Sequence, residues 1–222
     1  MFNFLKKNTL YFPGCLNKFV LKDIANNYVN VLRNLDVDFM VLKDDEVCCG
    51  APAYQAGYQK DFEDLKDKNL ELFRKYKIKK IITPSPQCAF TFSKMYDIKT
   101  EHVTQTILRH QDKIPLKHEE EITYFDPCYM GRYTGVTDAP RKILDLLGFE
   151  VIELQRNKDK TQCCGGNLNL KQNLPLVANK VAKNILSQVK TKKLVTTCPS
   201  CYLHFKENSE NIQVLELSEV LL

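Results

Sequence analysis

The chain of 222 residues lacks several features that would announce a familiar task. No stretch approaches the roughly 20 apolar residues that a membrane-spanning helix needs. The opening MFNFLKKNTLYF does not read as a secretory leader, because Lys6 and Lys7 break its apolar run and no cleavage-like segment follows. That points to the cytoplasm, with room for a peripheral place at the inner face of the membrane. There is no Gly-x-Gly-x-x-Gly, so no sequence case for a flavin or nicotinamide dinucleotide on this chain, and no P-loop. The net charge of +5 is spread over many lysines with no basic arm, which leaves nucleic-acid binding unindicated and allows a weak preference for acidic partner surfaces. The tight four-cysteine run that holds a cubane cluster is also missing. Hydrophobic residues at 44% and charged residues at 27% are ordinary for a soluble globular protein, and the length suffices for a real core.

What the chain does have is cysteine, nine in all, in two sets of one layout. The fuller set is Cys128, then Cys163-Cys164-Gly165, then Cys198-Pro199-Ser200-Cys201; the earlier set is Cys15, Cys48-Cys49-Gly50 and Cys88. In a reducing compartment, clustered thiols more often bind metal or do redox work than form structural disulfides. Thiolates are soft ligands that suit iron–sulfur clusters, zinc and Cu(I). A Cys-x-x-Cys turn brings two sulfurs to one metal or to adjacent metals. Neighbouring cysteines point in different directions, so a single tetrahedral ion rarely uses both, whereas a cluster of several irons can. Five thiols are one more than a zinc ion or a cubane cluster takes. Buried free thiols, plain zinc binding and a thiol oxidoreductase working through Cys198 and Cys201 are the competing readings. The last does not explain Cys128 or the pair Cys163-Cys164.

The pattern around the thiols repeats. Thr9–Cys15 reads as a strand ending in a Pro13-Gly14 turn, and residues 21–35 as a helix with Leu21, Ile24, Ala25, Tyr28, Val31, Leu32 and Leu35 on one face. A strand is expected over Val37–Leu42, a charged helix over 61–76, a strand over Ile78–Thr83 with a turn through Cys88, and short helices over 89–96 and 102–111. A polar linker, 112–121, precedes the restart. Ile122–Phe125 reads as a strand turning at Cys128, Asp138–Gly148 as a capped helix, and Phe149–Leu154 as a strand. A helix near 175–189, a strand over Leu194–Thr197 and a turn at Cys198–Cys201 complete the copy. The apolar tail Val214–Leu222 is expected to dock on the body. Cys15 and Cys128 lie 113 residues apart, and Cys48 and Cys163 lie 115 apart. This spacing is an internal duplication into residues 1–115 and 116–222. Each copy is expected to be α/β, a small and mostly parallel sheet flanked by helices. Thiols placed just after strands would gather beyond the carboxyl ends of such a sheet, where α/β folds bind ligands.

On these residues the chain resembles the cysteine-rich CCG domain family. That family includes the B and D polypeptides of heterodisulfide reductase, and iron–sulfur subunits of lactate, glycolate and glycerol-3-phosphate oxidising systems. Tyr11-Phe12-Pro13-Gly14-Cys15 and Asp126-Pro127-Cys128-Tyr129-Met130-Gly131-Arg132 share the likeness, which covers nearly the whole chain. It implies a non-cubane [4Fe-4S] cluster held by Cys128, Cys163, Cys164, Cys198 and Cys201. It also implies an iron–sulfur subunit of an oxidoreductase complex, beside ferredoxin-like iron–sulfur or flavin-containing partners. Electrons would pass between a donor dehydrogenase, such as one oxidising a 2-hydroxy acid, and a quinone or a small-molecule disulfide. A heterodisulfide reductase-like catalytic subunit, cleaving a disulfide at the cluster, is one alternative. A zinc-stabilised assembly protein without redox turnover is another. The first copy departs from the pattern, since Ser85-Pro86-Gln87-Cys88 stands where a Cys-x-x-Cys is expected. Cys15, Cys48, Cys49 and Cys88 are therefore open to an altered iron–sulfur cluster, a zinc site or no stable metal at all.

Other charged and polar groups have plainer readings. Arg132 and Arg141 could meet an anionic substrate or a reduced cluster, but solvated helix-entry arginines explain them as well. Lys75, Lys77, Lys79 and Lys80, like Lys190, Lys192 and Lys193, suit solvated helix ends. His102, His110, His118 and His204 share no ligand-like spacing, and His204 reads as packing.

Overall fold

The computed structural model describes residues 8–42, 45–114, 116 and 118–222; the first seven residues of the opening stretch lie outside them. The first copy contains β1 (Thr9–Tyr11), α1 (Cys15–Phe19), α2 (Lys22–Asn34), α3 (Ala51–Gln55), α4 (Gln59–Lys75), β2 (Lys80–Thr83), α5 (Pro86–Lys94), β3 (Thr100–His102) and α6 (Val103–Leu108). The second contains β4 (Glu120–Phe125), α7 (Asp138–Leu146), β5 (Phe149–Glu153), α8 (Leu168–Asn173), α9 (Pro175–Leu186), β6 (Lys193–Thr196), α10 (Pro199–Asn208), β7 (Gln213–Glu216) and α11 (Leu217–Leu221).

Each copy builds one sheet with every pair parallel, in the order β1-β2-β3 and β5-β4-β6-β7. Parallel strands need helical crossovers, and helices on the faces demand apolar residues on both sides of the strands. Leu10, Ile81, Ile122, Tyr124, Leu194 and Val195 are accordingly buried. The expected strand over Val37–Leu42 is reduced to a single bridge between Met40 and Leu10. Its counterpart β5 pairs along five residues of β4. The reason lies in the neighbour: β1 is three residues long where β4 is six, so there is little edge to pair with. β3 and α8 were not anticipated, and the turns expected at Cys88 and Cys201 are the first turns of α5 and α10.

The two sheets share a core. Tyr11, Tyr28, Leu32, Ile82 and Ile107 of the first copy pack in one cluster with Ile122, Phe125, Ile143, Leu194 and Phe205 of the second. The tail closes it, as α11 lies against α2 and buries Leu217, Val220 and Leu221. Tyr28 donates a hydrogen bond to Glu216 Oε1 at 2.6 Å across the same seam. A smaller core of Leu10, Phe12, Ile81, Phe92 and Tyr96 belongs to the first copy alone. β1, β2, β4 and β6 each end just before a cysteine-bearing loop or helix start, so the packing brings both thiol sets to the carboxyl ends of their sheets.

Candidate metal centre

In the second copy, three segments deliver the five thiols. Cys128 follows β4 and leads into a π-helical turn over Tyr129–Thr134. Cys163 and Cys164 lie in the loop before α8, Cys198 is the N-cap of α10, and Cys201 sits in its first turn. The sulfurs touch in sequence. Cys128 hydrogen-bonds to Cys163, Cys163 to Cys164, and Cys164 to Cys201 with an Sγ–Sγ distance of 3.0 Å. Cys201 in turn hydrogen-bonds to Cys198. Two backbone N–H groups also point at sulfur, Gly165 to Cys163 at 3.5 Å and Gly166 to Cys164 at 3.3 Å. Gly165 reaches this pose at φ +84°, and a Cβ there would stand 2.8 Å from the Ala178 carbonyl oxygen, so only glycine fits. Hydrogen bonds from Cys128 and then Cys164 pull the Cys163 thiol down to about 2, and the same Cys163 contact pushes Cys128 up. Within the set, Cys163 is thus the thiol whose contacts most favour the deprotonated form.

The first copy repeats this with one member missing. Cys15 hydrogen-bonds to Cys48, Cys48 to Cys49, and Cys49 lies 3.3 Å from Cys88 between sulfurs. Gly50, at φ +81°, donates its N–H to Cys48 Sγ at 3.4 Å, the counterpart of Gly165. Cys48 is drawn down to about 3 by the Cys15 and Cys49 hydrogen bonds. Ser85 occupies the place of Cys198, and its Oγ accepts from the Cys88 N–H at 3.3 Å as a helix N-cap. A hydroxyl is a good cap and a poor soft-metal ligand, so this oxygen serves the helix. Among the described residues, no group of three or more His, Cys, Asp or Glu side chains is arranged to enclose a single metal ion.

The residues present fit an iron–sulfur group unequally. In the second copy, five soft donors joined by contact and two N–H groups aimed at sulfur suit a thiolate-bound, anionic cluster. The first copy offers four thiols and cannot match a five-thiol site.

A cavity of about 360 Å³ separates the two sets. Its wall takes Cys15, Cys49 and Cys88 from the first copy, and Gly166, Pro199 and Ser200 from the loop and the start of α10 that carry second-copy thiols. Most of the remaining lining is apolar, and its one cation, Lys171, is ion-paired with Glu207. Asn17 also lines it; this residue is fully buried, donates through Nδ2 to the Pro13 carbonyl, and keeps an Oδ1 with no partner. Its counterpart in the second copy is Met130, whose sulfur accepts from the Thr197 hydroxyl at 3.0 Å. Pro84, standing where Thr197 does, has no hydroxyl to give.

Two residues given plain readings on sequence grounds have larger parts. His102, buried at the end of β3, places Nε2 3.1 Å from the Pro84 carbonyl and 3.2 Å from that of Thr197. These carbonyls directly precede Ser85 and Cys198, so one imidazole ties the two cysteine loops together. With Nδ1 accepting from the Thr104 N–H at 3.4 Å, the proton belongs on Nε2. Spacing to other ligands could not reveal it; only the alignment of its strand with the last strand of the chain could. Arg141 is not solvated: it clamps Asp126 at 2.6 and 2.8 Å and Glu153 at 2.5 and 2.8 Å, and its guanidinium lies 5.1 Å from the Tyr124 ring centre. It braces the Asp126-Pro127 turn that presents Cys128. His204 packs as expected, with Nε2 3.0 Å from the Ala178 carbonyl.

Comparison with known proteins agrees with this twofold arrangement. The profile of a family described as "Cysteine-rich domain" (CCG) matches residues 9–93 and again residues 122–206. A polypeptide of the "Fumarate reductase (CoM/CoB)" of Methanothermobacter marburgensis is 29% identical over 228 residues, covering 95% of this chain and 45% of that protein. A polypeptide of the "Dihydromethanophenazine:CoB--CoM heterodisulfide reductase" of Methanosarcina mazei is 30% identical over 230 residues, 94% of this chain and 56% of that one. The "EtfAB:quinone oxidoreductase" of Syntrophomonas wolfei is 29% identical, with 96% of this chain against 34% of that one. The chain thus spans roughly a third to just over half of the length of these curated relatives.

Proposed function

Because the chain belongs to the cysteine-rich CCG domain family, we propose that it is the iron–sulfur subunit of an oxidoreductase, with its cluster in the second copy. The ligands are Cys128, Cys163, Cys164, Cys198 and Cys201. The observation that carries this reading is the unbroken contact running through all five thiols, from three separate segments. Five ligands favour a non-cubane [4Fe-4S] group over a cubane one. When bound, such a group takes up and releases electrons one at a time.

The protein's own residues supply the setting. Gly165 and Gly166 place N–H dipoles on the sulfurs of Cys163 and Cys164, which lowers the cost of accumulating negative charge there. Cys164 and Cys201 are buried, so that side of the site is dry, while Cys128, Cys163 and Cys198 are only half buried. His102 holds the Cys198 loop to its first-copy counterpart. The apolar cavity between the two sets can admit a small acceptor, and a quinone or a disulfide fits the names of the relatives. The donor would be a partner dehydrogenase subunit, flavin-containing or ferredoxin-like, working on a 2-hydroxy acid or similar substrate. Cys15, Cys48, Cys49 and Cys88 are left to zinc, to a second, altered iron–sulfur cluster or to no stable metal.

The test is iron, sulfide and zinc content, with EPR, on anaerobically purified protein. About four irons per chain are expected in the second copy, with a paramagnetic signal that disappears in Cys164→Ser. Clearly more iron would assign iron to the first copy as well, and zinc beside iron would assign zinc there. Zinc alone would overturn the oxidoreductase reading.

A further inference from the structure

The cavity between the thiol sets opens onto no second-copy thiol. The second-copy set meets solvent on another side. There Cys163, the central thiol, lines an open hollow whose wall also carries Arg132, Arg156 and Lys180. The three cations come from three places: the π-helical turn after Cys128, the loop after β5, and the exposed face of α9. All three are exposed, no carboxylate lines the hollow, and none of the three has a carboxylate partner among the described residues. Arg156 spends its Nε on the Lys160 carbonyl, and the Arg132 guanidinium lies 5.8 Å from the Tyr133 ring centre. Elsewhere on this protein the well-placed cations are paired, as Lys80 and Arg109 are with Glu101 and Arg141 is with Asp126 and Glu153. Concentrating unpaired positive charge in one hollow costs self-repulsion, which an acidic partner relieves. Apolar contact is on offer too: Val177, 49% exposed, lines the hollow, and Leu176, 84% exposed, precedes it on α9.

We infer that this hollow is the docking site of an acidic electron-carrier protein, which meets the chain at Cys163. The carrier seats a carboxylate-rich patch on Arg132, Arg156 and Lys180 and covers Leu176 and Val177. In each encounter one electron leaves the carrier and enters the second-copy site, with no bond made or broken. The apolar cavity, on the first-copy side, is left free for a small acceptor, so entry and exit of electrons use different faces. The redox use of this surface rests on the second-copy cluster proposed above; the binding itself does not.

The experiment uses the full-length, anaerobically purified chain and a small acidic [2Fe-2S] ferredoxin as probe, with basic cytochrome c as counter-probe. Binding is read by calorimetric titration, and electron transfer by stopped-flow mixing with the reduced ferredoxin. Ferredoxin affinity should fall about tenfold in the double variant Arg132→Glu, Lys180→Glu and fall steeply as salt is raised. Its iron content should match that of the unaltered chain. The pair Lys190→Glu, Lys192→Glu, at the amino end of β6 and away from the thiols, should leave affinity nearly unchanged. Equal losses in both double variants, or equal affinity for cytochrome c, would overturn the docking site. A chain that binds ferredoxin in this pattern but holds no iron would sink the cluster and leave the surface standing. A chain with a full cluster and no charge-dependent binding would do the reverse.

Discussion

The two copies of this protein share a layout and differ at one atom that matters. In the second copy the N-cap of the helix after β6 is Cys198; in the first, the N-cap of the helix after β2 is Ser85. The serine oxygen spends its lone pair on the Cys88 N–H and stabilises α5, whereas the cysteine sulfur joins four other thiols. A single change from sulfur to oxygen thus moves one residue from a proposed soft-metal ligand to a helix cap. The contrast continues one layer out, where Thr197 serves Met130 and Tyr124 while Pro84 leaves Asn17 without a donor. The first copy has therefore kept the scaffold of the site and opened a cavity beside it.

The largest effect should come from breaking the better half. Cys163→Ser removes the thiol that contacts both Cys128 and Cys164 and should abolish the second-copy EPR signal, while Cys48→Ser, at the matching position, should leave that signal intact. Loss of the signal in both would mean that the copies share one group. Restoring the missing ligand should sharpen the comparison from the other side. Ser85→Cys gives the first copy five thiols and should raise bound iron per chain, at a cost of about 1 kcal/mol for the lost cap. An unchanged iron content would show that the first copy is shaped for another metal.

A subtler contrast lies at two matched positions, His102 ending β3 and Glu216 ending β7, each capping the helix that follows. Burial lowers the His102 imidazole to about 4 and raises the Glu216 carboxyl to about 7. For His102 the folded state holds the proton less tightly than the unfolded one, so its contribution is present above pH 6.5 and is lost as pH falls toward 4. For Glu216 the folded state holds the proton more tightly, so its contribution is present below pH 4.5 and is lost as pH rises toward 7. Each spans on the order of 3 kcal/mol, with opposite sign. In urea unfolding of the intact chain these two contributions therefore offset one another across this window. Relative to the intact chain, Glu216→Gln should make the slope of stability against pH more positive, and His102→Gln should make it more negative. Slopes shifted the same way in the two variants would refute the assignment.

Much of this is legible in the order of residues. The cysteine sets, their repeat distance, the α/β character and the departure at Ser85 follow from residue order, because ligand chemistry and turn signals are local properties of a sequence. The expected strand at Val37–Leu42 failed because pairing depends on the length of a neighbour, β1, that lies elsewhere in the chain. Arg141 passed for a solvated arginine because its partners, Asp126 and Glu153, sit at the ends of two different strands. His102 passed for a histidine without a site role because both of its carbonyl partners are backbone atoms, which carry no sequence signature.

Residue identity alone determined which atoms could bind a soft metal and which copy is one ligand short, since donor chemistry travels with the side chain. Only the tertiary structure decided that the thiols of each set touch, that one imidazole joins the two loops, and that an apolar cavity and a cationic hollow lie on separate faces. Those are facts of packing: they depend on two parallel sheets sharing one core, and no local stretch of the chain contains that information.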